Sequence, residues 1–543
     1  MSSPRARDMG PNGHGSPTPW PATLNIVDRG AVPGGGPLST QAVQRTIDEV
    51  HEAGGGTVWV PPGLFRVGGL ELRSHVTLYL DAGSVLQGSA SLEDYPFHPG
   101  PPPEADANGR HLIFAADSDN VTICGPGTID GEGPAFWEPN VDHPPVAPED
   151  AWKDGATGYL RPKGRNRRPS PMLEFVRCRN VRLRDVTLRN SPGWTVRPIA
   201  CETVVIDGVT IRNPINGPNT DGLDITASRN VFVSNCDITT GDDAVCLKSE
   251  NPYGELLPTK NVVVTGCVLT TSCNGFKMGT ATHGAFENIL FTNSVIYNDR
   301  STPLRTHASA GVCVEMVDGG TVDGVVVSNI RMENVRAPIF VRLGERTKRE
   351  GTFLRNVRIE GIEASGAIVS SSITGVPGLR PSDITVSHCR IRTCEGGRAA
   401  WGQREIPEVA RDYPEARMMG RLPSYGVYLR HADRVRLVDV ECLTDEPDER
   451  AAIVCDDVED VILRDLTLAA PRGGAPLLDL RESRRVLVNG VRPGPGCLVM
   501  VQVRGEISSE IALTGNHLGS GTRAVRFAAG ALDASVVLNG GTG

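Results

Sequence analysis

The sequence predicts an all-β protein, a right-handed parallel β-helix with a short N-terminal capping helix. Three observations support this fold class. Short segments rich in Val, Ile and Thr recur along the 543 residues, separated by many of the 62 Gly and 41 Pro, a composition that favours strands and turns. The segments repeat about every 25 residues, so each small unit must bury its apolar side against its neighbours. One segment alone has clear helical spacing.

The repeat is a unit of a polar residue pair, then Val or Ile alternating with polar residues, then a turn and a second short strand. Successive copies are "RNVRLRDVTLRNS" (179–191), "ETVVIDGVTIRNP" (202–214), "RNVFVSNCDITTG" (229–241) and "KNVVVTGCVLTTS" (260–272). Their first apolar residues stand at positions 181, 204, 231 and 262, in steps of 23, 27 and 31 residues. A propeller blade needs about 40 residues per repeat. Stacked rungs that each rise about 4.8 Å fit the shorter period better.

The capping helix is predicted over "STQAVQRTIDEVHEA", residues 39–53. Ser39 is a suitable N-cap residue and Gly54 a stop signal. The apolar residues with helical spacing are Val43, Ile47 and Val50. Since the end of a β-helix exposes unpaired strand edges, we expect this helix to cover one of them.

The predicted organisation is a disordered leader (1–22), an N-terminal cap with the first rungs (23–90) and a β-helix over 91–543 that forms one continuous domain with the cap. Three inserts break the period, at residues 95–111, 136–170 and 398–424. Inserts of this length in a compact fold are usually functional or disordered. Their aromatic residues favour ordered loops that wall a cleft; these are Trp137, Trp152, Tyr159, Trp401 and Tyr413.

Composition excludes several classes of function. The net charge of −9 gives no basic footprint for nucleic acid. The 13 cysteines have no metal-ligand spacing, which favours small buried residues over a disulfide framework or a metal site. No apolar run approaches the length of a membrane span, and the N-terminus lacks the apolar core of a signal peptide. We therefore expect a monomer in the cytoplasm, or a secreted protein if the start site is mis-called.

Carboxyl groups recur at corresponding places in the repeat. Asp221, in "NTDG", and Asp242, in "GDD", are 21 residues apart, just under one rung. This spacing predicts that they stack on adjacent rungs, with Asp243 beside them. Each motif taken alone is typical of a turn, but their shared register favours chemistry. Mutual repulsion and burial keep one such group protonated near neutral pH, as a glycosidase requires of its acid.

The motifs "NTDGLDI" (219–225), "GDDAVCLKS" (241–249), "GGGTVWVPPGLF" (54–65) and "GPGTIDGEG" (125–133) carry a family resemblance. The chain resembles glycoside hydrolase family 28, the polygalacturonase-type enzymes with the pectin lyase-like fold, over roughly residues 24–400. The resemblance implies a parallel β-helix that hydrolyses pectin-type chains of α-linked uronic acids by single-step inversion. It is similar to a divergent bacterial branch of that family.

Carried onto this sequence, the resemblance assigns catalytic roles. Asp242 is implied to be the general acid, while Asp221 and Asp243 hold and activate the water. Asn219 and Lys248 are implied to line the same cleft. The family needs no metal or other cofactor, so none is expected here.

Two elements of the family pattern are replaced. The family His that supports the acid corresponds to Cys273 and Asn274 in "TSCNGFKMGTAT" (271–282), and His283 lies too far along to substitute for it. The Arg-Ile-Lys that grips a uronate carboxylate corresponds to the strand containing Glu315.

A carboxylate at position 315 would repel a uronate, so we expect a changed substrate. Glu315 could instead accept hydrogen bonds from a neutral sugar. The candidates for compensating cations are Lys277, whose alternative is a surface lysine, and Arg342, which could form a carboxylate fork or be a surface strand residue. Asn274 is a further candidate for substrate binding.

Three functions of different classes remain open. The first is an inverting glycoside hydrolase acting on pectic galacturonate-type or rhamnogalacturonan-derived chains. The second is a Ca²⁺-dependent polysaccharide lyase with Lys248 or Lys277 as the base. The third is a carbohydrate-binding β-helix without catalysis. The long inserts favour exo action on imported oligosaccharides.

Overall fold

The computed structural model describes residues 22–98, 108–141, 160–164, 167–250, 254–299, 301 and 306–539. The predicted leader lies outside the described residues except for residue 22, where the first strand begins. The division of the chain into cap and β-helix stays a prediction. No helix among the described residues has the length and apolar character needed to cross a bilayer.

The predicted parallel β-helix is confirmed. Each turn of the chain visits three faces, and each strand pairs in parallel with its counterpart on the next rung. The strands of face A are β1 (Ala22–Asn25), β2 (Gly56–Val60), β5 (Val76–Leu80), β8 (Thr122–Cys124), β13 (Arg179–Arg184), β16 (Glu202–Asp207), β19 (Arg229–Ser234), β22 (Thr259–Thr265), β36 (Arg484–Asn489), β39 (Ser509–Thr514) and β41 (Val536–Asn539). Those of face B are β3 (Gly63–Val67), β6 (Ser84–Gly88), β9 (Thr128–Asp130), β14 (Thr187–Arg189), β17 (Thr210–Arg212), β20 (Asp237–Thr240), β23 (Val268–Thr271), β34 (Thr467–Leu468) and β37 (Arg492–Pro493).

Face C carries the site described below. Its strands are β4 (Leu70–Glu71), β7 (Ile113–Ala116), β12 (Leu173–Val176), β15 (Val196–Ile199), β18 (Leu223–Thr226), β21 (Val245–Ser249), β24 (Asn274–Thr282), β26 (Ala310–Met316), β28 (Ala337–Leu343), β30 (Ser371–Thr374), β35 (Pro476–Arg481), β38 (Val499–Arg504) and β40 (Arg523–Ala528). Longer strands bend from one face to the next: β25 (Ala285–Tyr297), β27 (Thr321–Glu333), β29 (Phe353–Ala367), β31 (Ser382–Thr393), β32 (Ser424–Thr444) and β33 (Ala451–Arg464).

The repeat spacing is the register of face A. Val181, Val204, Val231 and Val262 pair in succession, as the sequence predicts, and their side chains are buried in the core. The polar residue before each apolar one makes the turn onto the face in the left-handed region, which Asn tolerates better than most residues. At Asn261, φ is +54°, and its amide donates to Asn230 Oδ1 at 2.9 Å.

The capping helix is also confirmed, as α1 (Thr40–Glu52), and Gly54 follows it with φ of +92°. The three spaced apolar residues of the helix are buried against the first rungs. Ser39 stands at the N-cap position, but its hydroxyl accepts a hydrogen bond from the Val32 backbone at 3.0 Å instead of capping the helix.

Of the three inserts, 398–424 is described in full. It begins with α2 (Ala399–Gly402) and packs on the outside of face C. Ile406, Met419 and Leu422 form an apolar cluster with Tyr428 on β32 and with neighbouring β33 residues. The second insert contributes the antiparallel pair β10 (Trp137–Pro139) and β11 (Leu160–Pro162), while Trp152 and Tyr159 lie outside the described residues.

Candidate active site

The site occupies the outer row of face C, because alternate side chains of a strand point to opposite sides of the sheet. In β18, Leu223 and Ile225 enter the core while Asp224 points outward. The same alternation directs Cys246 and Lys248 of β21 outward. Further along the row it does the same for Lys277 and then for Cys313, Glu315 and Arg342.

The carboxyl groups of the two acid motifs converge on adjacent rungs. Leu223 pairs with Val245, an offset of 22 residues, and the Gly222 backbone donates to Asp243 O at 2.9 Å. Asp243 therefore lies opposite Asp221, and Asp242 precedes it on the turn into β21. Asp221 and Asp242 thus lie on adjacent rungs, and after burial Asp242 is the group that raises the pKa of Asp221 most. The pairing offset is one residue longer than the 21-residue spacing, so Asp243 is the residue directly opposite Asp221.

Hydroxyl groups fix this turn. Thr220 Oγ1 accepts a hydrogen bond from the Gly241 backbone at 3.0 Å, which ties the two acid-bearing rungs together. On the next rung, Ser272 Oγ donates to Gly241 O at 2.8 Å and Thr271 Oγ1 to Asp242 O at 2.6 Å. The Asp242 carboxyl is thus presented on a backbone that is held from both sides.

Asp243 is held as a carboxylate. It is 3% exposed, with Lys277 Nζ at 3.2 Å from Oδ2 and the Asn274 amide donating to Oδ1 at 2.7 Å. Burial raises the pKa of Asp243, but attraction to Lys277 and Lys248 and the hydrogen bonds from Asn274 outweigh burial, and they hold its pKa below the ordinary value.

Asp242 and Asp221 are shifted the other way. Burial, followed by repulsion from Asp243, raises the pKa of Asp242 to about 7, although Lys277 opposes the rise. Burial and the neighbouring acids raise the pKa of Asp221 well above its ordinary value. No hydrogen-bond partner among the described residues reaches its buried Oδ1. Asp242 is the more exposed of the two, so it is the protonated carboxyl that a ligand can reach.

Asp224 adds a fourth carboxyl, which the sequence showed but the predicted site omitted. Lys248 Nζ lies 3.3 Å from Asp224 Oδ1 and 4.7 Å from the centre of the Trp194 ring. Burial raises the pKa of Asp224 to about 6 against the pull of Lys248. Its alternation with Leu223 and Ile225 was the signal that could have placed it in the site.

The structure also places Asn219 and the residues that correspond to the family His. Cys273 stands beside Asp242 and Asp243, and its Sγ is 3.3 Å from the Asn274 amide, which donates to it. His283 lies beyond the other end of β24, where it faces Glu250 at 3.5 Å, so it does not substitute. Asn219 Oδ1 accepts a hydrogen bond from Arg168 at 3.1 Å.

Lys277 is 1% exposed, which excludes the alternative of a surface lysine. Arg342 is likewise buried, and not on the surface. Its guanidinium donates to Gly375 O at 2.8 Å and, in the insert, to Glu408 O at 2.7 Å. Arg342 thus fixes the insert to face C. Because its guanidinium donates to backbone oxygens, it does not form the predicted fork for a substrate carboxylate.

Glu315 is 1% exposed, and no hydrogen-bond partner among the described residues reaches either carboxyl oxygen. Burial raises its pKa to about 8, although Lys277 opposes the rise. Tyr413 of the insert completes this end of the row: its hydroxyl lies 3.4 Å from Lys277 Nζ. The sequence placed Tyr413 in a wall loop but gave no sign of which lysine it meets.

Asp242, Asp243 and Cys273 bring three potential metal-ligand atoms within 4.8 Å of one another. The donor set does not fit Ca²⁺, which takes oxygen ligands, because one member is a thiol and the Asp243 carboxylate already faces Lys277 and Asn274.

A row of buried carboxyl groups with opposed pKa shifts, on the outer surface of a parallel β-helix, defines the protein as an acid–base enzyme of the glycosidase class. The comparison with family models makes the assignment specific. The model described as "Glycosyl hydrolases family 28" matches residues 57–400, more than half of the chain. The chain belongs to this family and is a polygalacturonase-like glycoside hydrolase.

Named relatives agree with the family. A probable polygalacturonase from Vitis vinifera is 28% identical over 72% of this chain and 78% of its own length. An endo-polygalacturonase from Pectobacterium carotovorum subsp. carotovorum is 26% identical over 60% of this chain and 77% of its own. The crystal structure of an exopolygalacturonase from Thermotoga maritima, 25% identical, superposes with a TM-score of 0.57 over 68% of this chain and 87% of its own. Plant and bacterial proteins both match, so no branch of the family is distinguished.

Proposed function

We propose that this enzyme hydrolyses glycosidic bonds of pectic, galacturonate-type chains by acid–base catalysis with inversion. The observation that carries the proposal is the opposite shift of two adjacent carboxyl groups. The pKa of Asp242 is raised to about 7 and that of Asp243 is lowered. The names of the relatives, which are polygalacturonases of both endo and exo types, support the substrate class.

In this mechanism Asp242 protonates the leaving oxygen, since it holds a proton near neutral pH and is the most accessible of the carboxyl groups. Asp243, kept ionised by Lys277, takes a proton from the attacking water. Asp221 orients that water from the adjacent rung. The water adds to the anomeric carbon as the glycosidic bond breaks. Asp242 gives one proton to the leaving oxygen, and Asp243 takes one from the water.

The two lysines that were candidates for the base of a lyase are held in the charged form. A lyase must remove a proton from carbon, which requires an uncharged Lys or a similar group. Burial lowers the pKa of both candidate lysines, but Asp243 foremost at Lys277, and Cys246 followed by Asp224 at Lys248, outweigh it. The pKa values of both lysines lie well above the ordinary value. Each is paired with an aspartate at about the distance of an ion pair.

The test is the hydrolysis of polygalacturonate by wild type, D242N and D243N, followed as reducing-sugar release. Asn cannot donate the carboxyl proton or accept one as a base, so each variant should lose about 10²–10⁴ of kcat/KM. D237N is a matched control, because Asp237 lies on the preceding strand, exposed and paired with Arg212. It should retain wild-type activity.

Proton NMR of the first product settles the stereochemistry, with the opposite anomer expected. Near-wild-type reducing-sugar release by D242N would refute the proposed roles. Formation of an ultraviolet-absorbing unsaturated product that chelators abolish would instead establish a lyase.

A further inference from the structure

Glu315 and its neighbours form an unexplained part of the cleft floor. Glu315 follows Lys277 along the outer row, on the next rung of face C. Its carboxyl lies over Gly279, where a Cβ would stand 2.6 Å from Oε2. Gly279 therefore leaves room for a carboxyl that has no hydrogen-bond partner among the described residues. A buried polar group without a partner is costly to a protein, so this arrangement indicates a ligand.

The cations that act on Glu315 are engaged elsewhere. Lys277 faces Asp243 at 3.2 Å, and Arg346 donates to both oxygens of Asp318, each at 2.7 Å. Lys248, further away, is paired with Asp224. A uronate carboxylate at this position would meet Glu315 without an uncommitted cation from these three residues.

The insert closes over the same place. Tyr413 is half exposed and lies with its ring centre 5.3 Å from Lys277 Nζ, while Ala416 packs against the outer cluster of Cys313 and Phe340. An exposed aromatic ring beside hydrogen-bonding groups is suited to the apolar face of a sugar ring.

We propose that Glu315 is a specificity-determining residue, whose carboxyl binds hydroxyl groups of an uncharged sugar unit at the subsite bounded by Lys277, Gly279 and Tyr413. This inference rests on the proposed function and deepens it: the enzyme cleaves pectic chains in which the unit at this subsite carries no free carboxylate. A neutral sugar or a methyl-esterified galacturonate meets that requirement.

The experiment compares kcat/KM for an oligogalacturonide and for its fully methyl-esterified counterpart, which share sugars and linkages and differ in charge. Wild type should prefer the ester. E315K should reverse the preference by about tenfold or more, since it replaces a carboxyl with a cation at the subsite. E510K, at an exposed position on β39, makes the same substitution away from the cleft and should leave the preference as in wild type.

E315Q keeps the size of the side chain and covers the case in which E315K fails to fold. Burial raises the pKa of Glu315 to about 8 against the pull of Lys277 and Lys248, and Glu415 and Asp243 add to the rise. The wild-type preference for the ester should therefore increase as pH rises through that value, and E315Q should show no such increase. A wild type that prefers the charged chain, or an E315K preference equal to that of wild type, would overturn the proposal. In either case hydrolysis sensitive to D242N would leave the proposed function standing, whereas hydrolysis of both chains that survives D242N would refute the proposed function itself.

Discussion

Replacement of Lys277 by Met should destabilise the protein in a pH-dependent way. The side chain is buried, and its Nζ lies 3.2 Å from Asp243 Oδ2. Two unit charges about 4 Å apart attract by about 4 kcal/mol at the effective dielectric constant of 20 that suits protein interiors. Removal of one partner of a buried pair costs about 3–5 kcal/mol because the other charge is left uncompensated. We therefore expect K277M to lower the free energy of unfolding by about 3 kcal/mol near pH 7.

The sign of the pH dependence follows from Asp243. Its pKa in the folded wild type lies below the ordinary value, so it contributes stability that is present above the unfolded-state pKa and lost as pH falls through the folded-state pKa. Without Lys277 the folded-state pKa should rise by about 1–3 units. Asp243 of the variant then takes up a proton at mildly acidic pH, and the difference in stability from wild type shrinks towards about pH 4.

The measurement is urea unfolding of both proteins at the two pH values. K260M serves as control, since Lys260 forms an ion pair with Glu287 at 2.7 Å on the exposed surface, both side chains being about 40% exposed. Such a pair is worth about 0–1 kcal/mol. The reasoning is refuted if K277M is no more destabilising than K260M, or if its effect is equally large at both pH values.

Three further predictions concern other residues of the row. D242N should be more stable than wild type by about 1–2 kcal/mol near pH 8, and by less near pH 5. The folded-state pKa of Asp242, about 7, lies above its ordinary value, so Asp242 destabilises the wild type increasingly as pH rises from the ordinary value to about 7. Calorimetry that shows no pH dependence contradicts this. R342A should increase amide hydrogen exchange in residues 398–424 and lower kcat/KM, because Arg342 holds the backbone of the insert. Unchanged exchange in these residues would show that other contacts fix the insert. G279A should lower the free energy of unfolding by about 1–3 kcal/mol, because φ of +127° and the approach to Glu315 both penalise a Cβ; a melting temperature equal to that of wild type would exclude the strain.

The fold was predictable because the length of each rung can be counted from the spacing of apolar residues in the sequence. A β-helix stacks units that are neighbours in sequence, so the steps between Val181, Val204, Val231 and Val262 are the strand register itself. The capping helix followed from local spacing and Gly54. The residue directly opposite Asp221 could not be obtained in this way, because the rung here is 22 residues long, which places Asp243 opposite Asp221 instead of Asp242.

The surroundings of the acids depend on contacts between residues far apart in the chain, which the repeat spacing does not predict. The insert that carries Tyr413 is separated from Lys277 by more than a hundred positions in the chain, and its path is set by buried donors such as Arg342. The sequence suggested Arg342 as a ligand for a carboxylate because it shows the side chain but not the backbone oxygens that surround it. Similarly, the unpartnered carboxyl of Glu315 is visible only when all of its neighbours are in place.

The charge balance of the site explains how Asp242 keeps a proton near neutral pH. Four carboxyl groups, Asp221, Asp224, Asp242 and Asp243, surround two lysines, and each lysine is paired with one of them. Of the two paired groups, Asp243 has a pKa below its ordinary value and the pKa of Asp224 rises only to about 6. Burial and repulsion raise the pKa of Asp242 to about 7 and that of Asp221 well above its ordinary value. If the two lysines instead paired with a carboxylate of the substrate, they would no longer stabilise the ionised forms of Asp224 and Asp243. The pairing of Lys248 with Asp224 and of Lys277 with Asp243 therefore favours the ionised form of these two carboxyl groups and leaves the proton on Asp242.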